Sequence, residues 1–168
     1  MHNHFELFGL ESAFALDGEA LERSYREIQS KVHPDRFAHA GDAERRASLQ
    51  WTTRVNEAYR TLKDPVQRAR HILELHGVDV AFETNTAMPP EFLMQQIELR
   101  ESLEEAKTEA ALDQMRKRLR EEKAQLQQQI AEAIDSHEDY DAAAGLVRKL
   151  QFLDRLDEEI DSAYDGIE

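Results

Sequence analysis

The chain has 168 residues, with 35 acidic and 21 basic side chains, no Cys and a net charge of −14, which excludes disulfides, thiolate metal sites, cysteine-ligated iron–sulfur clusters and a cysteine nucleophile. The length suits one ordinary domain or two small ones, and a 40% apolar share beside 33% charged residues fits a folded, helical chain rather than a disordered one. The strong negative charge argues against binding DNA or anionic membrane through bulk electrostatics; with no secretory pattern at Met1–Glu6 and no run near the ~20 apolar residues of a membrane span, the expectation is a soluble, cytoplasmic protein.

The charge is unevenly placed. Residues 1–76 hold 12 acids and 11 bases, whereas residues 77–168 hold 23 acids and 10 bases, and six of the seven His lie in the first part. That asymmetry predicts two modules with different tasks.

Few glycines and prolines and little Val/Ile/Thr alternation predict an all-α chain. Phe5, Leu7, Phe8 and Leu10 form a short apolar entry turn ending near Gly9. Asp17 is the expected N-cap of the next helix, whose Leu21, Tyr25, Ile28 and Val32 recur at helical spacing. Pro34 stops that helix, because the residue before a proline avoids the α conformation. A loop from His33 to Gly41 follows. Asp42 is expected to cap a long helix with Ala47, Trp51, Val55, Ala58 and Leu62 on its inner face. Asp64-Pro65 opens a short helix carrying Ala69, Ile72 and Leu73 and ending at Gly77. Residues 1–76 therefore read as two antiparallel helices flanked by shorter ones, and 77–89 as a linker.

Three further helices are predicted: from Pro89-Pro90 to about Lys107, from Thr108 to about Ile134, and from a capping box at Ser136-His137-Glu138-Asp139 to about Tyr164. The Gln-rich stretch Gln125 to Gln129 reads as a solvated helix face.

The most specific local feature is His33-Pro34-Asp35, held between two amphipathic helices. Following Leu21/Tyr25/Ile28/Val32 and preceding Asn56-Glu57-Ala58-Tyr59-Arg60-Thr61-Leu62, it resembles the J-domain, the module by which Hsp40-type proteins stimulate ATP hydrolysis by an Hsp70 partner. The resemblance covers residues 1–76 and implies that His33, Pro34 and Asp35 are indispensable for stimulation. At ~100° per residue, Arg23, Arg26 and Lys31 fall outside the apolar stripe. With Arg36 in the loop, the resemblance makes them a docking face for an acidic region of the Hsp70. Plain helix solubility is the competing reading.

Two other readings of the first part compete with this one. His33 and Asp35 could orient one another as a catalytic pair, but no nucleophile with an activating neighbour and no Gly-rich phosphate loop accompanies them. His2 and His4 offer at most an unanchored metal pair. The expectation is a protein that is not an enzyme and carries no cofactor and no resident metal.

In the helix from Pro90, Phe92, Leu99 and Leu103 make one tight stripe, while Leu93, Ile97 and Met94 fall at about 100°, 140° and 200° from Phe92, next to Glu101 and Glu98. In the last helix, Leu146, Leu150, Leu153 and Ile160 share a stripe from which Phe152 departs. Surplus apolar residues rimmed by acids read equally as a partner surface or as a seam with another helix or the first module.

Phe92 to Glu101, Asp141-Ala142-Ala143-Ala144, Val147 to Asp154 and the opening Phe5-x-Leu7-Phe8-Gly9-Leu10 together resemble the HscB family, the J-type co-chaperones of iron–sulfur cluster assembly. That resemblance spans essentially the whole chain. It implies an L-shaped pair of domains: a J-domain (1–76), a linker (77–89) and a C-terminal three-helix domain (90–168) that binds the scaffold protein IscU through Leu93, Met94, Ile97, Glu98, Glu101 and Phe152. It also implies delivery of the scaffold to the Hsp70 HscA. Gln151 stands where a basic residue is expected, so no salt bridge to the scaffold is expected there. Without the Cys-containing N-terminal extension of eukaryotic members, the chain is similar to the bacterial type. The alternative reading is a general J-protein delivering other clients, which would call for Gly/Phe-rich or Cys-rich client regions that the sequence lacks.

Overall fold

A computed structural model describes residues 3–80 and 89–167. The chain forms two compact units, Met1–Leu75 and His76–Glu168, and every regular element among the described residues is helical. Of the expected linker, residues 81–88 lie outside the described residues, as does His2.

In the first unit, α1 (His4–Leu7) is followed by α2 (Gly18–Val32), α3 (Asp42–Lys63) and α4 (Pro65–Leu75). The helix starts follow local chemistry. The Asp17 carboxylate accepts from the backbone N–H groups of Glu19 and Ala20, and Asp64 accepts from that of Gln67, with Pro65 at the first helical position. Gly9 follows α1 at φ 66°, in the left-handed region where a side chain is costly. The core gathers Phe5, Phe8, Phe14, Leu21, Val55, Leu62, Ile72 and Leu73, all buried, each contributing on the order of 1.5–3 kcal/mol relative to exposure. Arg68 stitches the segment before α2 to α4: its Nε donates to the Phe14 carbonyl and its Nη1 to that of Leu62, both at 2.8 Å.

Two expectations for α3 fail. Asp42 is not its cap; Gly41 holds that position without a side-chain hydrogen bond, and Asp42 lies in the first turn, paired with Arg45. Ala47 and Trp51 are exposed, the latter by 45% with the Arg54 guanidinium over its ring, while Ser48 faces inward instead. The inward hydroxyls have partners. Ser48 Oγ and Thr52 Oγ1 donate to the carbonyl of Val32, at 2.5 and 3.2 Å, satisfying an acceptor left open where α2 ends.

α1 is anchored through histidines. His4 stacks on His71 at 4.3 Å, and the His4 backbone N–H donates to His71 Nε2 at 3.1 Å, which requires a neutral His71 ring. Burial, with the neighbouring His4 adding to it, lowers the His71 pKa from 6.5 to about 4. Burial also lowers that of His4, against the charges of Glu57 and Glu74 and together with that of Arg54. Because folding depresses the His71 pKa, the unfolded chain binds the extra proton, so this stability is complete above pH ~6.5 and drains away as pH falls toward about 4. Thermal unfolding followed between pH 7 and 4 is expected to show a steeper loss for the parent than for His71→Gln, with a difference on the order of 1 kcal/mol after allowance for solvent screening. Equal slopes for the two proteins would remove His71 as the cause.

The second unit is a three-helix bundle of α5 (Pro90–Glu105), α6 (Glu109–Ala131) and α7 (Tyr140–Asp165). Thr108 caps α6 through its hydroxyl. Leu99, Leu112, Met115, Leu119, Leu153, Leu156 and Ile160 form the core. Beside it runs an ionic seam in which Lys123 pairs with Asp154 and Asp157, and Arg116 with Asp157 and Asp161. Burial works against the Lys123 ammonium, but the hydrogen bond and charge of Asp154, helped by Asp157, outweigh it and hold its pKa above the ordinary lysine value.

The predicted capping box does not form. Ser136 ends a π-helical turn, Glu132–Ser136, Glu138 takes a positive φ of 51°, and Asp139 caps α7 by accepting from the Ala142 N–H. The buried stripe of α7 runs through Ala143, Val147, Leu150, Leu153, Leu156 and Ile160, with Leu146 half-buried at its edge.

Candidate interaction sites

In the first unit, the chain after α2 closes into a tight polar corner. His33 ends α2 by donating its N–H to the Gln29 carbonyl at 2.9 Å. Its backbone then turns extended, at φ −57° and ψ 136°, as the following Pro34 demands. Pro34 opens a 3-10 turn, Pro34–Phe37, inside the stretch expected to be plain loop, and His33 Nδ1 caps it by accepting from the Asp35 N–H at 3.2 Å. The His33 ring thus fixes the backbone of the corner, and the Asp35 carboxylate is left outside it, 93% exposed.

That geometry bears on the catalytic pair. The Asp35 carboxylate lies 3.6 Å from His33 Nδ1, beyond hydrogen-bond distance, and the Nδ1 lone pair is already committed to the Asp35 N–H. The two side chains therefore do not form an acid–base relay.

Arg23, Arg26 and Lys31 are exposed on α2. Arg26 pairs with Glu22 and Lys31 with Glu27, each one helical turn away, with both cations still largely solvated; pairs of this kind contribute little and leave the cation open to another anion. Arg36 folds back so that Nη1 donates to the Ser30 carbonyl at 3.2 Å, bracing the corner against the last turn of α2. Sequence reading missed the bracing from the other side, Ser48 and Thr52 on the Val32 carbonyl, since a serine and a threonine carry no hydropathy signal for an inner face.

In the second unit, Leu93, Met94 and Ile97 are 46%, 62% and 59% exposed on one side of α5, and Glu98 and Glu101 are exposed beside them. Phe92 and Leu99, on the opposite side, are buried. Phe152 of α7 takes an intermediate position. It is half-buried, packed against the core, and edge-on to Phe92 with ring centroids 5.8 Å apart. The bundle thus brings the five α5 residues onto one surface and sets Phe152 at its inner margin. Arg100, which the sequence did not single out, sits at that margin with its guanidinium 5.5 Å from the Phe152 ring centre. The only sequence signal for it is its angular place, ~80° from Phe92, between the core stripe and the exposed patch.

The model of the HSCB C-terminal oligomerisation domain matches residues 88–161. The co-chaperone protein HscB homolog of Azoarcus sp. (strain BH72) is 47% identical over 169 residues, covering 99% of this chain and 96% of that protein; the homolog of Burkholderia multivorans is 49% identical with the same coverage. The chain belongs to the HscB family. Among solved members of that family, chaperone HscB from Vibrio cholerae superposes with a TM-score of 0.87 at 38% identity, covering 99% of this chain and 100% of that one. Human co-chaperone HscB superposes with a TM-score of 0.95 at 27% identity, over 99% of this chain and 84% of that one. HscB proteins are J-type co-chaperones of iron–sulfur cluster assembly and are not enzymes. No helix among the described residues is long and apolar enough to cross a membrane.

Proposed function

We propose that this HscB-family chain acts in the cytoplasm, grips the iron–sulfur scaffold IscU with its C-terminal domain, brings it to the Hsp70 HscA and stimulates HscA's ATPase, promoting cluster transfer. Residues 1–76 serve as the J-domain, 77–89 as the linker and 90–168 as the scaffold-binding domain. The observation that carries the reading is the exposure of Leu93, Met94 and Ile97 together on one side of α5, in a unit separate from the one holding His33-Pro34-Asp35. Clustered exposed apolar side chains on an otherwise highly charged bundle mark a place where a partner excludes water. The acids Glu98 and Glu101 favour a partner with a basic rim.

On the first unit, the solvated Arg23, Arg26 and Lys31, with Arg36, suit an acidic face of the Hsp70, and the rigid corner presents Asp35 to it. Holding scaffold and chaperone at once raises the effective concentration of one for the other, so neither contact needs to be tight.

A general client carrier is the weaker reading. It needs broad apolar surface, whereas Leu93, Met94 and Ile97 are the large apolar side chains described as exposed in the second unit. ATP hydrolysis by HscA, measured with this chain and with or without IscU, is expected to rise with the chain alone and further when the scaffold is added. No extra rise with IscU, or equal stimulation by an unfolded client, would favour the general carrier.

A further inference from the structure

Arg100 links the two helices that carry the proposed docking face. Its Nη1 donates to both carboxylate oxygens of Glu159 on α7, at 3.2 and 3.0 Å. The same guanidinium lies 5.5 Å from the centre of the Phe152 ring, which Phe92 also meets, edge to face at an interplanar angle of 87°. Arg100 and Glu159 remain about half exposed, at 51% and 44%.

An ion pair so solvated adds little to the stability of the bundle. Its geometry does something else. A guanidinium anchored by a carboxylate and lying against an aromatic ring favours the ring positions that keep that contact. Phe152 sits at the margin where α5 and α7 meet, so its orientation sets the shape of the α7 edge of the docking face.

We propose that Arg100 and Glu159 form a clamp that holds the Phe152 ring in its partner-ready orientation, making Arg100 a positioning residue for scaffold binding. The proposal rests on the scaffold reading of the α5 face. Its physical basis is preorganisation: a side chain already fixed in the free protein need not be ordered at the moment of binding.

A direct role for Arg100, reaching a carboxylate on the scaffold, predicts different behaviour. Glu159 would then compete with the scaffold for the guanidinium, and removing it would tighten binding. Under the clamp, removing it loosens the guanidinium and weakens binding.

The test is calorimetric titration of IscU into four full-length proteins: the parent, Arg100→Ala, Glu159→Gln and the double variant. Ring proton resonances of Phe152 are recorded for each free protein, and Leu93→Ala is titrated as a control. The clamp predicts that either single change weakens binding about three- to tenfold, that the double is no weaker than Arg100→Ala, and that Phe152 resonances shift or broaden in all three with melting temperatures unchanged. Arg100→Lys keeps the charge but loses the planar guanidinium, so it restores only part of the affinity. Parental affinity in Arg100→Ala, tighter binding in Glu159→Gln, or unaltered Phe152 resonances overturns the clamp. Should Leu93→Ala also bind like the parent, the scaffold reading itself fails, which is a separate result.

Discussion

Asp35→Asn is expected to abolish stimulation of the Hsp70 ATPase while leaving the affinity for the scaffold unchanged. The structure makes this a clean substitution. The Asp35 carboxylate is 93% exposed, and the hydrogen bond that shapes the corner uses the Asp35 backbone N–H and His33 Nδ1, both of which survive. Asparagine is nearly the same size and is at home in the first turn of a short helix. What changes is one negative charge, presented on a corner stiffened by Pro34 and braced by Arg36, Ser48 and Thr52. If that charge meets a cation of the Hsp70, leaving the partner charge unpaired costs roughly 2–5 kcal/mol, on the order of a hundredfold or more in the productive complex. Steady-state ATP hydrolysis by HscA against increasing Asp35→Asn protein measures it. Full stimulation would sink the J-domain assignment, because no other exposed acid is held by this corner.

The same corner shows how far the sequence could be read. Its helix boundaries were legible because capping is local: Asp17, Asp64 and Thr108 each accept from backbone N–H groups two or three residues on, and Pro34 constrains only its immediate neighbour. The phase of α3 near its start was not. At ~100° per residue Ser48 lies ~20° from Val55 and Trp51 ~40° to the other side, so hydropathy chose the tryptophan. The fold buries the serine instead, with its hydroxyl donating to the Val32 carbonyl. The cap of α7 failed for a related reason. Ser136 and Asp139 both suit an N-cap, and a π turn over Glu132–Ser136 takes up Ser136, so the start of α7 falls at Asp139; single-helix periodicity carries no signal for such a turn.

In the second unit, angular arithmetic separated Leu93, Met94 and Ile97 from the core stripe, and the structure exposes all three. Arithmetic on one helix could not rank Phe152, whose half-burial depends on the register of α5 against α7. Nor could it reveal the Arg100–Glu159 pair, whose members are 59 residues apart.

That difference decides the second large effect. Replacing Leu93, Met94 and Ile97 with Ala together is expected to remove scaffold binding, a loss on the order of a hundredfold or more, since truncating a central apolar anchor commonly costs over 1 kcal/mol. Phe152 is left in place because it is half-buried and packs against the core of the bundle, so its removal would confuse unfolding with lost contact. The three α5 side chains are largely solvated in the free protein, and surface substitutions of this kind change stability by about 0.5 kcal/mol or less each. Helical content and melting temperature should therefore match the parent while calorimetry with IscU shows no measurable heat of binding. The variant should still stimulate HscA alone, because His33-Pro34-Asp35 belongs to the other unit, and it should lose only the additional stimulation that IscU brings. Unchanged affinity would return Leu93, Met94 and Ile97 to incidental surface. Loss of stimulation without IscU would show instead that the α5 face itself touches the Hsp70. The two variants fail in opposite halves of one task, as expected of a protein that links partners rather than transforming either.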